Sequence, residues 1–193
     1  MSLRLLAIFP RRSETFEDVA AVPPLLAKLF PLEGAVAEAY SQRTVDPRAY
    51  RPEGWSLGPR QLSPDEQWRQ FGRLDYRSSR ESFLKFGRQC LILFTVAKWH
   101  FARAHPPLLA AAHRLFQVMA IALKAPEFIV YHDRHSGIED CVYSGLSIEQ
   151  VGREIVAGGA LRASHMKDLH LTGVQLEPAA KVPDLYYEEV VSQ

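Results

Sequence analysis

The hydrophobic positions of this sequence fall into short continuous runs and longer helical periods, which predict both strands and helices. Residues 3–10, LRLLAIFP, form an almost wholly apolar run that ends in proline, which is typical of a buried strand. Residues 106–125 begin with two prolines, are rich in alanine and leucine, and are followed by Pro126. They predict a central, largely buried helix that is apolar on nearly all faces. Residues 127–133 then predict a second strand.

Capping residues predict where three further helices begin. The clearest is Ser63, because a proline and two acids follow it directly. Ser147, with glutamine three residues on and a pair of glycines at the end, predicts a helix within residues 145–159. Another helix starts after Ser13 and is interrupted by two adjacent prolines, where a further helix should begin.

Other segments fit more than one structure. The centre of residues 81–105 is rich in strand-forming side chains, so we predict a strand there against the alternative of a helix. The remaining segments are 34–42, strand or helix; 170–178, a weak strand; and 184–193, a strand or a short helix. Together the pattern predicts one α+β domain over residues 1–193, in two layers, with helices packed on one mostly antiparallel sheet. Residues 43–63, rich in proline and glycine, predict a long irregular loop.

Composition narrows the classes of partner. The 193 residues are 47% hydrophobic and carry a net charge of +1, so no strong field attracts nucleic acid or a membrane surface. The first residues lack the order of charge and small residues of a signal peptide, and charges break the apolar runs. With only two cysteines, we expect reduced thiols and a cytoplasmic protein. An exposed apolar edge in segment 81–105 would favour a homodimer.

The stretch IVYHDRHSGIEDC, residues 129–141, concentrates groups that could bind a metal or carry out acid–base chemistry. His132, Asp133 and His135 have a spacing that could place them around a metal ion, as in a metal-dependent hydrolase. However, adjacent strand residues point to opposite faces, and His135 is followed by a turn sequence ending in glycine. We therefore predict a polar turn at the end of a strand, with no cofactor.

Other chemical signatures are weak. Residues 68–88 interleave six basic side chains with aromatic ones, as in some nucleic-acid-binding segments. Acids interrupt the stretch, so a solvated helix face with buried aromatics is favoured over nucleic-acid binding. The sequence contains no phosphate-binding glycine loop and no nucleophile elbow around a serine. A cysteine–histidine nucleophile has no supporting local context.

In layout, the chain resembles the bacterial polymorphic-toxin immunity proteins. The matching features are the leading strand LRLLAIFP, the mid-chain EGWSLG and the helix-to-strand passage AIALKAPEFIVYHD. Members of this group are small cytosolic α+β proteins that neutralise a cognate toxin by covering its active site. The resemblance implies a surface that binds a toxin, but it assigns no residue to that surface.

The contact residues are predicted from position and residue type. A loop at the end of a strand is a rigidly placed projection, and aromatic side chains carry much of the binding energy of interfaces. We therefore predict a protein-binding module, an inhibitor rather than an enzyme, whose partner is a protein such as a toxin. The predicted partner-binding residues are Asp133, His135, Glu139, Asp140 and Trp55. The alternative is the metal-dependent hydrolase that uses His132, Asp133 and His135.

Overall fold

The computed structural model describes residues 4–27, 30–41, 55–57, 63–78, 82–132, 137–157, 176–178 and 186–189. The strands are β1 (Arg4–Pro10), β2 (Trp55–Leu57), β3 (Leu74–Ser78), β4 (Phe83–Phe86), β5 (Cys90–Lys98), β6 (Glu127–His132), β7 (Leu176–Pro178) and β8 (Tyr186–Glu189). The helices are α1 (Phe16–Ala20), α2 (Val22–Ala27), α3 (Phe30–Ser41), α4 (Pro64–Phe71), α5 (Trp99–Ala104), α6 (Pro106–Leu123), α7 (Gly137–Tyr143) and α8 (Ile148–Ala157).

The strands form one sheet in the order β2-β3-β4-β5-β1-β6-β8-β7. Every strand pairing in the described part of the chain is antiparallel. Helices pack on this sheet, which confirms the predicted α+β class. The apolar segment β5 lies inside the sheet, between β4 and β1, so it does not provide the exposed edge on which the homodimer expectation depended.

The strand registers show which helices cover which face of the sheet. Phe128 of β6 stacks on Phe9 of β1, with ring centroids 5.4 Å apart, and the ring of Phe116 in α6 lies 6.3 Å from Phe128. Lys85 of β4 has the opposite orientation in the same registers and contacts Glu139 of α7. The main helical layer, α6 with α3, therefore lies on one face, and the smaller pair α7–α8 covers the centre of the other face. Residues of β1 and β5 are buried throughout their centres for this reason.

Most elements with a local signal are confirmed. The strand over 3–10, the central helix over 106–125 and the strand over 127–133 correspond to β1, α6 and β6. Among the ambiguous segments, the centre of 81–105 is the strand β5, which runs directly into the short helix α5. The others are α3 at 34–42, β7 at the end of 170–178 and β8 within 184–193. Of the predicted loop 43–63, residues 55–57 form β2, Ser63 caps α4, and the rest lies outside the described residues.

Two of the predicted helix N-termini are capped by reciprocal hydrogen bonds. The Ser63 amide donates to Glu66 Oε2 at 3.0 Å, and the Glu66 amide donates back to Ser63 Oγ at 3.3 Å. Ser147 and Gln150 exchange the same two bonds at the start of α8. At α1 the capping residue is Thr15 rather than the predicted Ser13. The Thr15 side chain accepts from the Asp18 amide, and Ser13 is buried instead.

Among the described helices, α6 alone is long and apolar enough to cross a membrane by length and composition. The core helix of a globular domain meets the same test, and α6 packs in this way. Its buried residues are Leu108, Leu109, Ala112, Leu115, Phe116, Met119, Ala120 and Leu123.

Candidate functional site

Of the predicted contact residues, those that the structure describes lie on two separate elements, the helix α7 and the edge strand β2. β6 ends at His132, and Glu139 and Asp140 form the first turn of α7, so the stretch 129–141 does cross from a strand to a helix. Asp133, His135 and the side chain of His132 lie outside the described residues. Trp55 begins β2, at the edge of the sheet, and its side chain also lies outside the described part.

The predicted polar turn after β6 falls on residues 133–136, outside the described residues, and the helix α7 follows from Gly137. Ile138 and Val142, four residues apart, are both buried, which anchors one face of a seven-residue helix on the sheet. Glu139 and Asp140 lie at its N-terminus, where the helix dipole favours negative charge. The sequence did not predict α7, because the residues just before Gly137 are typical of a turn.

Two polar contacts hold α7 on the neighbouring strands. Lys85 Nζ lies 2.5 Å from Glu139 Oε2, and both side chains are largely shielded, at 20% and 34% exposure. At the other end of the helix, the Tyr143 hydroxyl donates a hydrogen bond to Asp75 Oδ1. Burial, and then this hydrogen bond with Asp75, raise the pKa of Tyr143 well above its usual range. Asp75 and Lys85 face each other across β3 and β4, so both contacts arise from one strand register.

A close contact between the backbone at Gly87 and that of α7 also holds this helix in place. Gly87 lies in the turn between β4 and β5, where its amide donates to the Cys90 carbonyl at 2.9 Å. A Cβ at position 87 would lie 1.9 Å from the Val142 carbonyl oxygen, far inside any contact distance. Only glycine therefore allows α7 to rest directly on this turn.

An arginine and two aromatic rings lie beside the C-terminal end of α7. Arg73 Cζ lies 5.6 Å from the ring centroid of Phe71 and 5.5 Å from that of Tyr143. Phe71 is 47% exposed, which is unusual for a large apolar side chain in this protein, and Arg73 is exposed. Both rings therefore lie within cation–π distance of one guanidinium.

A second arginine, Arg88, lies against the turn at Gly72 that ends α4. Gly72, at φ +61°, ends α4 in the left-handed conformation, and Arg88 Nε comes within 2.7 Å of the position of its missing Cβ. Arg88 Cζ lies 5.7 Å from the ring of the buried Trp68. Within the described residues, no carboxylate forms an ion pair with Arg73 or Arg88. We refer to the residues at this junction as the α4–α7 surface: Phe71, Arg73, Arg88 and Tyr143.

Sequence reasoning missed this surface, although it noted the stretch 68–88 that supplies three of the four residues. The stretch is a helix followed by two strands rather than one solvated helix face. Trp68 and Tyr76 are buried as predicted, whereas Phe71 is not. The fourth residue, Tyr143, comes from a helix more than fifty residues away, so no local pattern could have placed it there.

Neither cysteine has the environment of a nucleophile. Cys90 is buried, its thiol contacts the Leu146 carbonyl oxygen at 3.4 Å, and burial raises its pKa to about 12. Burial also raises the pKa of Cys141. A raised pKa keeps a thiol protonated, the opposite of what nucleophilic attack needs. In the parts of the chain that the structure describes, no group of three histidine, cysteine or acidic side chains could hold a metal ion.

Comparison with known proteins leaves the chain without a family. No protein-family model matches it, and no curated protein does. A solved structure that matches is the Pseudomonas aeruginosa T6SS protein PA0821, at 12% sequence identity and a TM-score of 0.31. The match covers 72% of this chain and 44% of that one, so the chain spans less than half of that structure's length. A similarity at this level carries no argument about fold or function.

Proposed function

We propose that this chain is a protein-binding module of the immunity type, which neutralises a cognate bacterial toxin by occluding its active site. The observation that supports the proposal is the fixed helix α7. It is held at its first turn by Lys85, at its last residue by Asp75, and along its backbone by the turn at Gly87. Asp140, exposed on the first turn, is therefore presented to a partner in a preset position.

Such preorganisation matters for binding. A side chain that is already ordered loses little conformational entropy when a partner docks, so more of its interaction energy appears as affinity. An exposed carboxylate on a fixed helix can enter a cleft lined by basic groups, where charge complementarity selects the partner and speeds association. Glu139 contributes less directly, because it is engaged by Lys85. Asp133, His135 and Trp55 remain proposed contacts of the same module, which acts in the cytoplasm.

The test is protection of a bacterial host. The chain is co-expressed with the product of the gene beside its own, and growth and complex formation are measured together. Wild-type chain should restore growth and form a stoichiometric complex. Asp140→Lys should weaken the complex at least about tenfold, since it places a like charge against the basic cleft. Glu154→Lys is the matched control, because Glu154 is exposed on the neighbouring helix α8.

Two results would overturn the proposal. The first is an absence of both protection and complex with the wild-type chain. The second is stoichiometric bound metal together with a hydrolytic activity that His132→Ala or His135→Ala abolishes, which would favour the alternative hydrolase. Equal effects of the Asp140 and Glu154 substitutions would leave the role of α7 without support.

A further inference from the structure

The α4–α7 surface has the composition of a binding hot spot. Arginine and aromatic side chains are enriched among the residues that carry most interface energy. Here Arg73 lies within cation–π distance of the rings of Phe71 and Tyr143, and Arg88 within that distance of the ring of Trp68. These contacts favour the observed positions of both guanidinium groups. Ordering these two long side chains on docking therefore costs less entropy than ordering free arginines.

The charges at this surface select the kind of group it accepts. Arg73 and Arg88 are exposed, and within the described residues neither is neutralised by a carboxylate. Two of the other exposed arginines differ in this respect, as Arg12 pairs with Glu14 and Arg69 pairs with Asp65. A guanidinium with open donor positions matches a carboxylate in a two-pronged, charge-assisted hydrogen bond.

We propose that the α4–α7 surface docks a carboxylate-rich segment of the protein partner. The inference rests on the proposed function, and it adds a second contact of opposite charge to that of Asp140. The partner then carries acidic side chains beside its basic cleft, and the exposed ring of Phe71 packs on an apolar residue among them. Asp140 lies in the first turn of α7 and Tyr143 is its last residue, so the two contacts lie at neighbouring points along one helix.

A nucleic-acid strand fits this surface less well than an acidic peptide. A strand follows a continuous track of cations, because each phosphate contact contributes only part of the affinity. The described surface offers two arginines, which match a pair of carboxylates but do not form a continuous track. The net charge of the whole chain is +1, which adds little long-range attraction for phosphates.

Fluorescence anisotropy tests the proposal with defined probes. The first probe is a short fluorescein-labelled peptide of glutamate, aspartate and tyrosine; the second has glutamine and asparagine in place of the acids; the third is labelled oligothymidylate. The acidic peptide should bind more tightly than the other two, and binding should weaken as salt is raised. The double variant Arg73→Glu/Arg88→Glu should lose at least about tenfold in affinity for it.

Controls separate the surface from net charge and from misfolding. Arg114→Glu/Arg153→Glu changes the net charge equally at exposed positions of α6 and α8 and should leave peptide affinity within about twofold. Arg73→Lys/Arg88→Lys keeps the charge, removes the planar fork, and should fall between wild type and the glutamate variant. Urea midpoints of all variants show whether each is folded.

The outcomes distinguish this inference from the proposed function. Equal peptide binding by the two glutamate double variants, or tighter binding of oligothymidylate at this surface, would overturn the inference. Protection by the Arg73→Glu/Arg88→Glu variant as strong as wild type would overturn it as well, while the proposed function stood. Conversely, peptide binding that follows the variants as expected, in a chain that forms no toxin complex, would remove the proposed function alone.

Discussion

Replacing Gly87 with alanine probes the contact that seats α7 on the sheet. The new methyl group would lie 1.9 Å from the carbonyl oxygen of Val142 and 2.7 Å from its carbonyl carbon. Ordinary contact begins at 3.4 Å, so the helix or the turn must move by about 1.5 Å. The atoms that must move belong to backbone on both sides, which cannot rotate away as the end of a long side chain can.

The expected cost follows from that displacement. Overpacking a well-filled site costs about 1–3 kcal/mol, and a helix that shifts also strains the contacts of Glu139 with Lys85 and of Tyr143 with Asp75. We therefore expect Gly87→Ala to lower the free energy of unfolding by an amount in the upper part of that range. Urea denaturation followed by circular dichroism measures it, and backbone amide NMR shifts should change along α7.

Gly137→Ala is the matched control on the same helix. A Cβ there would meet nothing within 4 Å, and the residue begins α7. Alanine restricts the unfolded chain more than glycine does, so this variant should gain about 0.4–1 kcal/mol. The two identical substitutions should thus move stability in opposite directions. If both variants stabilised the protein, or neither changed it, the close approach of α7 to the turn at position 87 would be refuted.

Further predictions concern the other supports of the site. Tyr143→Phe removes a hydrogen bond to the half-buried Asp75 and should cost about 1–2 kcal/mol in urea denaturation at neutral pH; an unchanged value would contradict that contact. Because the pKa of Tyr143 is raised in the folded state, the free energy of unfolding should fall as the pH rises above about 10, and less so in Tyr143→Phe. Ser63→Ala should cost about 1 kcal/mol, measured the same way, with Ser144→Ala as an exposed control that caps no helix N-terminus. Hydrogen bonds from Ser63 lower the pKa of Glu66, so the cap should contribute above pH 4.5 and be lost as the pH falls below it; an acid titration of stability with the same slope in Glu66→Ala would disprove this.

The parts of the fold that could be read from the sequence are those with local causes. The starts of α4 and α8 are set by residues three positions apart, and α6 is bounded by its own prolines and composition. The β-branched and aromatic residues at the centre of 81–105 favour a strand over a helix. Burial of this strand on both faces explains why its apolar residues do not alternate with polar ones.

The candidate site could not be read in the same way because its contacts are long-range. Glu139 and Lys85 are 54 positions apart, and Tyr143 and Asp75 are 68 apart. The seven-residue helix that carries two of these side chains depends on packing against the sheet, since a helix this short gains little from its own sequence. Glu139 was predicted to face a partner, and only the fold reveals that Lys85 already engages it.

The position of β1 in the sheet has a consequence for biosynthesis. This strand leaves the ribosome before the other strands that the structure describes, and its two neighbours, β5 and β6, begin at residues 90 and 127. More than a hundred further residues must therefore be translated before both edges of β1 can pair with neighbouring strands. Pairing of such distant segments makes folding slow, and unpaired apolar strands are prone to aggregate meanwhile. A nascent chain arrested before β6 should thus depend on chaperones. A chain arrested after α8 contains both strands that pair with β1, so it can bury these apolar residues.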